Sequence, residues 1–418
     1  MFAMRLRPNT ESRYPPQPAR CNPVLVVLSL AAACVLYGLP FLRVAPNRLV
    51  SGEPVFFLAL LQGSTLSGWM VWTVAAAGAA LLLAAFFKPG RALLCSVVTL
   101  SLVLMAGFVW LAGAQASLVA QTASPFARTF LGSAFWAALL LCGLIAADAL
   151  QRLQAGRRAR SAVTAAVLLA VCAMLAAGGS DELSIMKEYA NRSDVFLGAI
   201  TRHLQIVLLA MAFALGVGLP LGWAACNSAT LSRWLLPLLN IVQTIPSIAL
   251  FGLLMAPLAM LALAWPALGR AGISGVGLAP AVIALTLYAM LPVVRATLAG
   301  LQQVSSAVVD AASGMGMSRA QIFWRVEAPL ALPVVLAGVR TATIQCVGLA
   351  AVTALIGAGG LGSIMFEGLF SAAQDTVLLG VLPIIALGVL ADAAFRALIG
   401  LASLKNNLEH SLKSSLPP

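Results

Sequence analysis

Ten apolar runs, each long enough to reach across a bilayer, dominate this chain: about 24–41, 69–87, 92–113, 129–149, 161–177, 204–225, 235–260, 278–299, 330–356 and 376–401. A membrane-spanning helix needs about 20 such residues, so the runs consume roughly half of the 418 positions. Composition leaves no competing class for the whole chain. Apolar side chains make up 61% and charged ones 9%, whereas soluble globular domains carry about a quarter charged residues. Soluble enzymes, disordered chains and disulfide scaffolds are therefore excluded. Open sheets cannot satisfy their edges in lipid, and no alternating pattern of about ten residues recurs, so the runs read as helices. The expected fold is an all-α polytopic membrane protein with about ten transmembrane helices.

The net charge of +12, from 25 Lys and Arg against 13 Asp and Glu, would suggest nucleic acid in a soluble protein. Placement decides otherwise. With both termini cytoplasmic, the inside segments hold 15 basic residues, among them Arg5, Arg7, Arg13, Arg20, Arg152, Arg157, Arg158 and Arg160, while the outside segments hold 7. Arg295, Arg340 and Arg396 sit within spans. This is the positive-inside asymmetry of a multi-pass membrane protein, and it leaves no nucleic-acid partner to explain.

Seven cysteines include no CxxC pair, and six lie in or beside apolar runs, where a thiol acts as a small hydrophobe. His203 and His410 are the two histidines, so neither a metal cluster nor a serine–histidine triad is expected, and no cofactor. Residues 1–23, with four Arg and Tyr14-Pro15-Pro16-Gln17-Pro18, read as a cytoplasmic tail, and no small-residue cleavage pattern closes the first run. A polar segment at 178–202 separates a five-helix N-terminal membrane extension, 24–177, from a five-helix unit at 203–401; 402–418 is a second cytoplasmic tail. In that segment Ser180 or Asp181 is expected to cap a short helix with an acidic first turn.

The cytoplasmic loop 305–329 is not written like a passive connector. Ser305 is placed to start a short helix that Gly314 and Gly316 end. Ser318 and Gln321 have capping-box spacing for a second helix, which Pro329 breaks or kinks before the ninth span. The result would be a helix-turn-helix with Met315, Met317, Ile322, Phe323 and Trp324 as apolar knobs facing water, and such knobs invite a partner's groove.

These residues resemble the EAA loop of ATP-binding cassette importer permeases. Asp310-Ala311-Ala312 takes the place of Glu-Ala-Ala; Gly316 follows after three residues; nine more lead to Val326-Glu327-Ala328-Pro329, in place of Ile-x-Leu-Pro. The spacing matches throughout, with Asp for Glu, Val for Ile and Ala for Leu as departures. Flanking text is similar to the quaternary-amine subgroup, which imports glycine betaine, choline and carnitine: Gln243-Thr244-Ile245-Pro246-Ser247, Leu287 to Arg295, Gly338-Val339-Arg340-Thr341-Ala342 and Ile356 to Gly362. The resemblance covers about 195–410.

It implies a type I importer transmembrane fold in the C-terminal half, in a bacterial inner membrane. It also implies ATPase subunits, a second permease copy or paralogue, and a periplasmic substrate-binding protein as partners, with membrane lipid around them. Asp310, Ala311, Ala312, Gly314, Gly316, Phe323, Trp324, Val326 and Pro329 would form the ATPase-coupling element. The chain would not be an enzyme, since it lacks GxxxxGK[ST]. Its Gly357-to-Gly362 match to GxGxxG follows a span and reads as a tight external turn.

Importers of amino acids or methionine remain an alternative within the class. A secondary transporter or channel, needing no cassette partner, is an alternative outside it that the loop pattern argues against; a membrane scaffold is a poorer one. Arg340, Asp392, Tyr288 and Gln243 are candidates for the pathway or gate, with Arg340 placed to pair with Asp392 across helices. Asp148 with Arg152, and Asp392 with Arg396, are i, i+4 pairs. Trp223, Trp265 and Tyr288 are candidates for a cage around a quaternary ammonium, competing with service as interfacial anchors.

Overall fold

The computed structural model describes residues 22–414 apart from positions 49, 51, 63–67, 125 and 271. The expected tail with its four Arg and Pro-rich stretch, and Cys21, lie outside the described residues. The chain divides into two compact units, Met1–Lys187 and Glu188–Pro418.

In the first unit, α1 (Pro23–Gly38) opens with Asn22 accepting the Val24 N–H at 3.1 Å and with Pro23 in the first turn, where a missing N–H costs nothing. There follow β1 (Pro40–Ala45), β2 (Glu53–Phe56), α2 (Phe57–Gln62), α3 (Gly68–Ala84), α4 (Arg91–Thr122), β3 (Arg128–Leu131), α5 (Ser133–Arg152) and α6 (Arg157–Ala176). The chain is mostly helical, as expected, and three short strands join helices of this unit. They form one antiparallel sheet in the order β2-β1-β3, with Leu42 opposite both Val55 and Leu131. Each lies in a segment between helices, where unpaired backbone groups need partners, and the segments supply them to one another. Phe41 of β1 is fully buried and meets Phe57, Phe108 and Phe135 edge to face at 5.3–5.7 Å, which packs the sheet against α2, α4 and α5.

The second unit begins within α7 (Ser184–Asn191) and continues through α8 (Ser193–Asn227), α9 (Ala229–Thr244), α10 (Ser247–Ala264), α11 (Pro266–Arg270), α12 (Leu278–Gln302), α13 (Ser306–Gly314), α14 (Arg319–Ile322), α15 (Ala328–Ala350), α16 (Leu361–Phe370) and α17 (Gln374–Ser414). Residues 178–202 thus hold α7 and the first turns of α8. The expected cap at Ser180 or Asp181 is corrected: α7 starts at Ser184 and has no acidic residue in its first turn.

Among the described residues seven helices are long and apolar enough to cross a membrane: Arg91–Thr122, Ser133–Arg152, Ser193–Asn227, Ser247–Ala264, Leu278–Gln302, Arg319–Ala350 and Gln374–Ser403. The other three expected spans appear as α1 and α3, of 16 and 17 residues, and as α6, which opens on three arginines. The expected seventh span is corrected to two helices meeting at Ile245 and Pro246. Proline drives the residue before it out of the helical region, and Ile245 sits at φ −70°, ψ 126°.

Within the second unit α12 is the most buried of the seven and packs between α8 and α15. Lipid offers no hydrophobic drive between helices, so close approach falls to small residues. A Cβ at Gly222 of α8 would lie 2.6 Å from the Thr297 Cβ of α12, and Gly338 of α15 closes on Ala296 of α12 in the same way.

Candidate functional site

The loop 305–329 leaves the central helix α12 and returns into α15. Its first helix, α13, starts after Ser305, whose side chain makes no capping bond, contrary to expectation. Its end is a two-bond C-cap. The Gly316 N–H donates to the Ser313 carbonyl at 2.9 Å and the Met317 N–H to the Ala312 carbonyl at 3.2 Å, with Gly316 at φ +81°. Gly316 therefore makes the turn. Gly314, expected to share that role, is the last helical residue.

The capping box is formed: the Ser318 hydroxyl accepts from the Gln321 N–H, and the Gln321 side chain accepts from the Ser318 N–H at 2.8 Å. The expected break at Pro329 is absent. A π-turn at Phe323–Glu327 carries α14 into α15 without interruption, and the Ala328 N–H reaches back to the Phe323 carbonyl. The wide turn makes room where Pro329 and Pro333 withhold N–H groups from the ordinary ladder. The knob is thus the end of the ninth span itself.

Its apolar residues divide by exposure. Met315 and Trp324 are 75% and 72% exposed, Met317 and Phe323 half-buried. Ile322, expected outside, is buried and anchors the loop together with Ala312. Phe323 meets Trp324 at 5.1 Å and Trp223 of α8 at 6.0 Å, both edge to face. Asp310 and Ala311 are exposed beside the knob, and Val326 and Pro329 are half-buried on the π-turn and the start of α15.

The four pathway candidates form two bonded pairs. Arg340 of α15 is bonded to Asp392 of α17, whose carboxylate also takes Arg396 one turn on. Gln243 donates to the Tyr288 carbonyl at 2.8 Å, and the Tyr288 hydroxyl donates to the Ile245 carbonyl, which the break before Pro246 would otherwise strand. Asp148 and Arg152 pair at 2.8 Å, and Asn22 donates to the same carboxylate.

The structure does not assemble the cage candidates. Trp223 packs on Phe323, Trp265 follows the last turn of α10, and Tyr288 braces the helix break. Sequence reasoning missed one network: Arg192 donates to both oxygens of Glu367 at 2.6 and 2.7 Å and to Glu188, tying the start of α8 to α16. Glu367 and Glu188 raise the Arg192 pKa still further, holding it charged. The Glu188 and Arg192 spacing of four carried half of this signal; Glu367 lies 175 residues away. The corner after α15 has Gly357, Gly359 and Gly360 at positive φ, and Arg202 donates to the Ala358 carbonyl at 2.9 Å.

Comparison with known proteins adds two families. Residues 215–400 match the family described as binding-protein-dependent transport system inner membrane component, and residues 20–186 match the N-terminal domain of the ABC transporter permease YehY. The glycine betaine/carnitine/choline transport system permease protein OpuCD of Bacillus subtilis is 32% identical over 206 residues, 49% of this chain and 82% of that protein. The osmoprotectant import permease protein OsmW of Salmonella typhimurium is 38% identical over 198 residues, 47% of this chain and 87% of that protein. An inward-facing structure of the MetNI methionine ABC transporter aligns with 23% identity over 51% of this chain and 98% of that one, at a TM-score of 0.43.

Proposed function

The chain belongs to the inner membrane component family of binding-protein-dependent transport systems, the permeases of ABC importers, and from that premise we propose that it carries quaternary-amine osmoprotectants such as glycine betaine or choline. It is a multi-pass membrane permease component, and hydrolysis in such a system falls to partners. Those partners are two ATP-binding cassette subunits, a second permease copy or paralogue, and a periplasmic substrate-binding protein. Both termini face the cytoplasm. Residues 203–401 act as the permease domain, 24–177 as a membrane extension, and 178–202 joins them.

One observation carries the mechanism: the knob with exposed Met315 and Trp324 is continuous with the span that bears Arg340. Closure of two cassettes around ATP must move membrane helices, and a hinge would dissipate that motion. A groove on each cassette takes Trp324 and Met315, with Asp310, Ala311 and Val326 at the rim. Gly316 and the Ala312 anchor keep the knob in one shape. Displacement of the knob then displaces α15, and through Arg340 and Asp392 it reaches α17. Gln243 and Tyr288 hold the broken α9–α10 pair against α12, so these four residues act as gate braces whose bonds set the state of the path. Cargo recognition of high affinity resides on the binding protein.

Vesicles reconstituted with this chain, a cassette pair and a binding protein, supplied with labelled glycine betaine with and without ATP, test this reading. Accumulation that requires ATP supports it. Uptake indifferent to ATP overturns the mechanism, and ATP-driven uptake of another solute overturns the substrate class alone.

A further inference from the structure

Arg295 is a cation within a span that the mechanism above leaves unused. Arg152, Arg192, Arg340 and Arg396 each bond a carboxylate. Arg295 of α12 instead donates from Nη2 to the Asn240 side-chain oxygen of α9 at 2.8 Å, and among the described residues no acid pairs with it. A guanidinium carries five N–H donors on a permanent charge. One is engaged here, and Arg295 is exposed.

Its neighbours on α12 fix where it points. Leu291 packs in an apolar cluster with Leu239 of α9, while Gly338 of α15 closes on the Pro292 carbonyl and on Ala296. At about 100° per residue, Arg295 falls between those two faces. It therefore looks into the cleft between α9 and α15, which both pack on α12 and share no extended contact of their own. One wall of that cleft carries the Gln243 brace, and the other is the span continuous with the knob.

An ionisable group inside a span faces a protein interior or a watered path far more often than lipid tails. Arg295 lies four residues inside the apolar run 278–299, about 6 Å from its end. What it lacks is an anion. Glycine betaine and carnitine carry a carboxylate beside the quaternary ammonium, whereas choline carries a hydroxyl. A carboxylate leaving water needs charge-assisted donors, and the planar guanidinium fork fits it with two parallel bonds. A carboxylate-free cation meets only repulsion there.

We propose that Arg295, positioned by Asn240, is a carboxylate subsite on the cargo path and sets the preference for zwitterionic betaines over choline. The proposal rests on the chain being an importer of quaternary amines.

Two measurements test it. Wild type, Arg295→Gln and Arg295→Lys are reconstituted with a cassette pair and a binding protein, and ATP-driven uptake of glycine betaine and of choline is measured for each. Comparing each variant with wild type cancels the selection made by the binding protein. Arg295→Gln should cut betaine uptake about tenfold, the scale of one charge-assisted hydrogen bond, and leave choline uptake unchanged or faster. Arg295→Lys, which keeps the charge and loses the fork, should fall between. Equal loss of both cargoes, or loss of neither, overturns the proposal.

The second measurement needs no variant, cassette or transport: phenylglyoxal modification of Arg295 in the full chain in nanodiscs, mapped by mass spectrometry. Glycine betaine should slow that modification in a saturable way, and choline should not. Protection by betaine in a protein that imports neither cargo supports the subsite and strikes the reading of function instead. Protection by neither cargo overturns the subsite. So does protection that follows replacement of phosphatidylcholine by phosphatidylglycerol in the nanodisc and ignores betaine, which would give this cation to a lipid phosphate.

Discussion

Phe323 meets Trp223 edge to face, with ring centroids 6.0 Å apart and planes at 70°. The loop that follows α12 is therefore fastened to the end of α8 as well as being continuous with α15. Two of the helices that flank α12 converge on one aromatic contact, beside the exposed Trp324. In the proposed mechanism a force applied at the knob reaches both.

That contact is measurable by a double-mutant cycle. Trp223→Leu and Phe323→Leu, singly and together, should show a coupling of about 0.5–1.5 kcal/mol in unfolding of the purified chain, the range for edge-to-face pairs. Strict additivity would mean that the rings do not share one arrangement in the folded protein.

The two loop glycines should separate in thermal unfolding. Gly316→Ala forces a Cβ into a left-handed turn and should cost about 1 kcal/mol. Gly314→Ala occupies open space at the end of a helix and should be neutral or stabilising by about 0.5–1 kcal/mol. The reverse order would refute the two-bond cap at Gly316.

Removing the shared acid leaves two arginines facing each other inside the membrane. Asp392→Asn should lower folded yield more than Arg340→Gln, because Asp392 serves both Arg340 and Arg396. Exchanging Arg340 and Asp392 should rescue either single reversal only in part, since an arginine at 392 would sit one turn from Arg396. Adding Arg396→Glu should complete the rescue, measured as melting temperature and uptake.

Tyr288→Phe deletes the donor that satisfies the Ile245 carbonyl at the break before Pro246. Leaving this half-buried acceptor unmade costs at most about 1–3 kcal/mol. Stability should fall by that amount, and Gln243→Leu, which removes the companion bond, should add less than its single effect, because both brace one junction.

Local chemistry was legible in the sequence, and distant pairing was not. Apolar length located most of the long helices, and Pro246 marks where one expected span breaks into two. The Ser318 capping box was visible because both partners lie within one turn. The π-turn was hidden, since the sequence shows two prolines but not that a helix would widen to accept them. Three strands escaped notice because each is four to six residues long and finds its partners only when helix ends are brought together. Aromatic character suggested a cage role for Trp223, but only the fold places it on Phe323. Arg192 and Glu367 likewise find each other through tertiary structure alone.

ATP hydrolysis and labelled betaine uptake, measured in the same reconstituted vesicles for wild type and Trp324→Ala, test the coupling role most directly. Trp324 is 72% exposed, so its loss should leave the melting temperature unchanged. The account predicts that uptake per ATP hydrolysed falls about tenfold or more, the effect of roughly 1.4 kcal/mol lost at the docking contact. An unchanged ratio in a variant that inserts and melts like the wild type would contradict it.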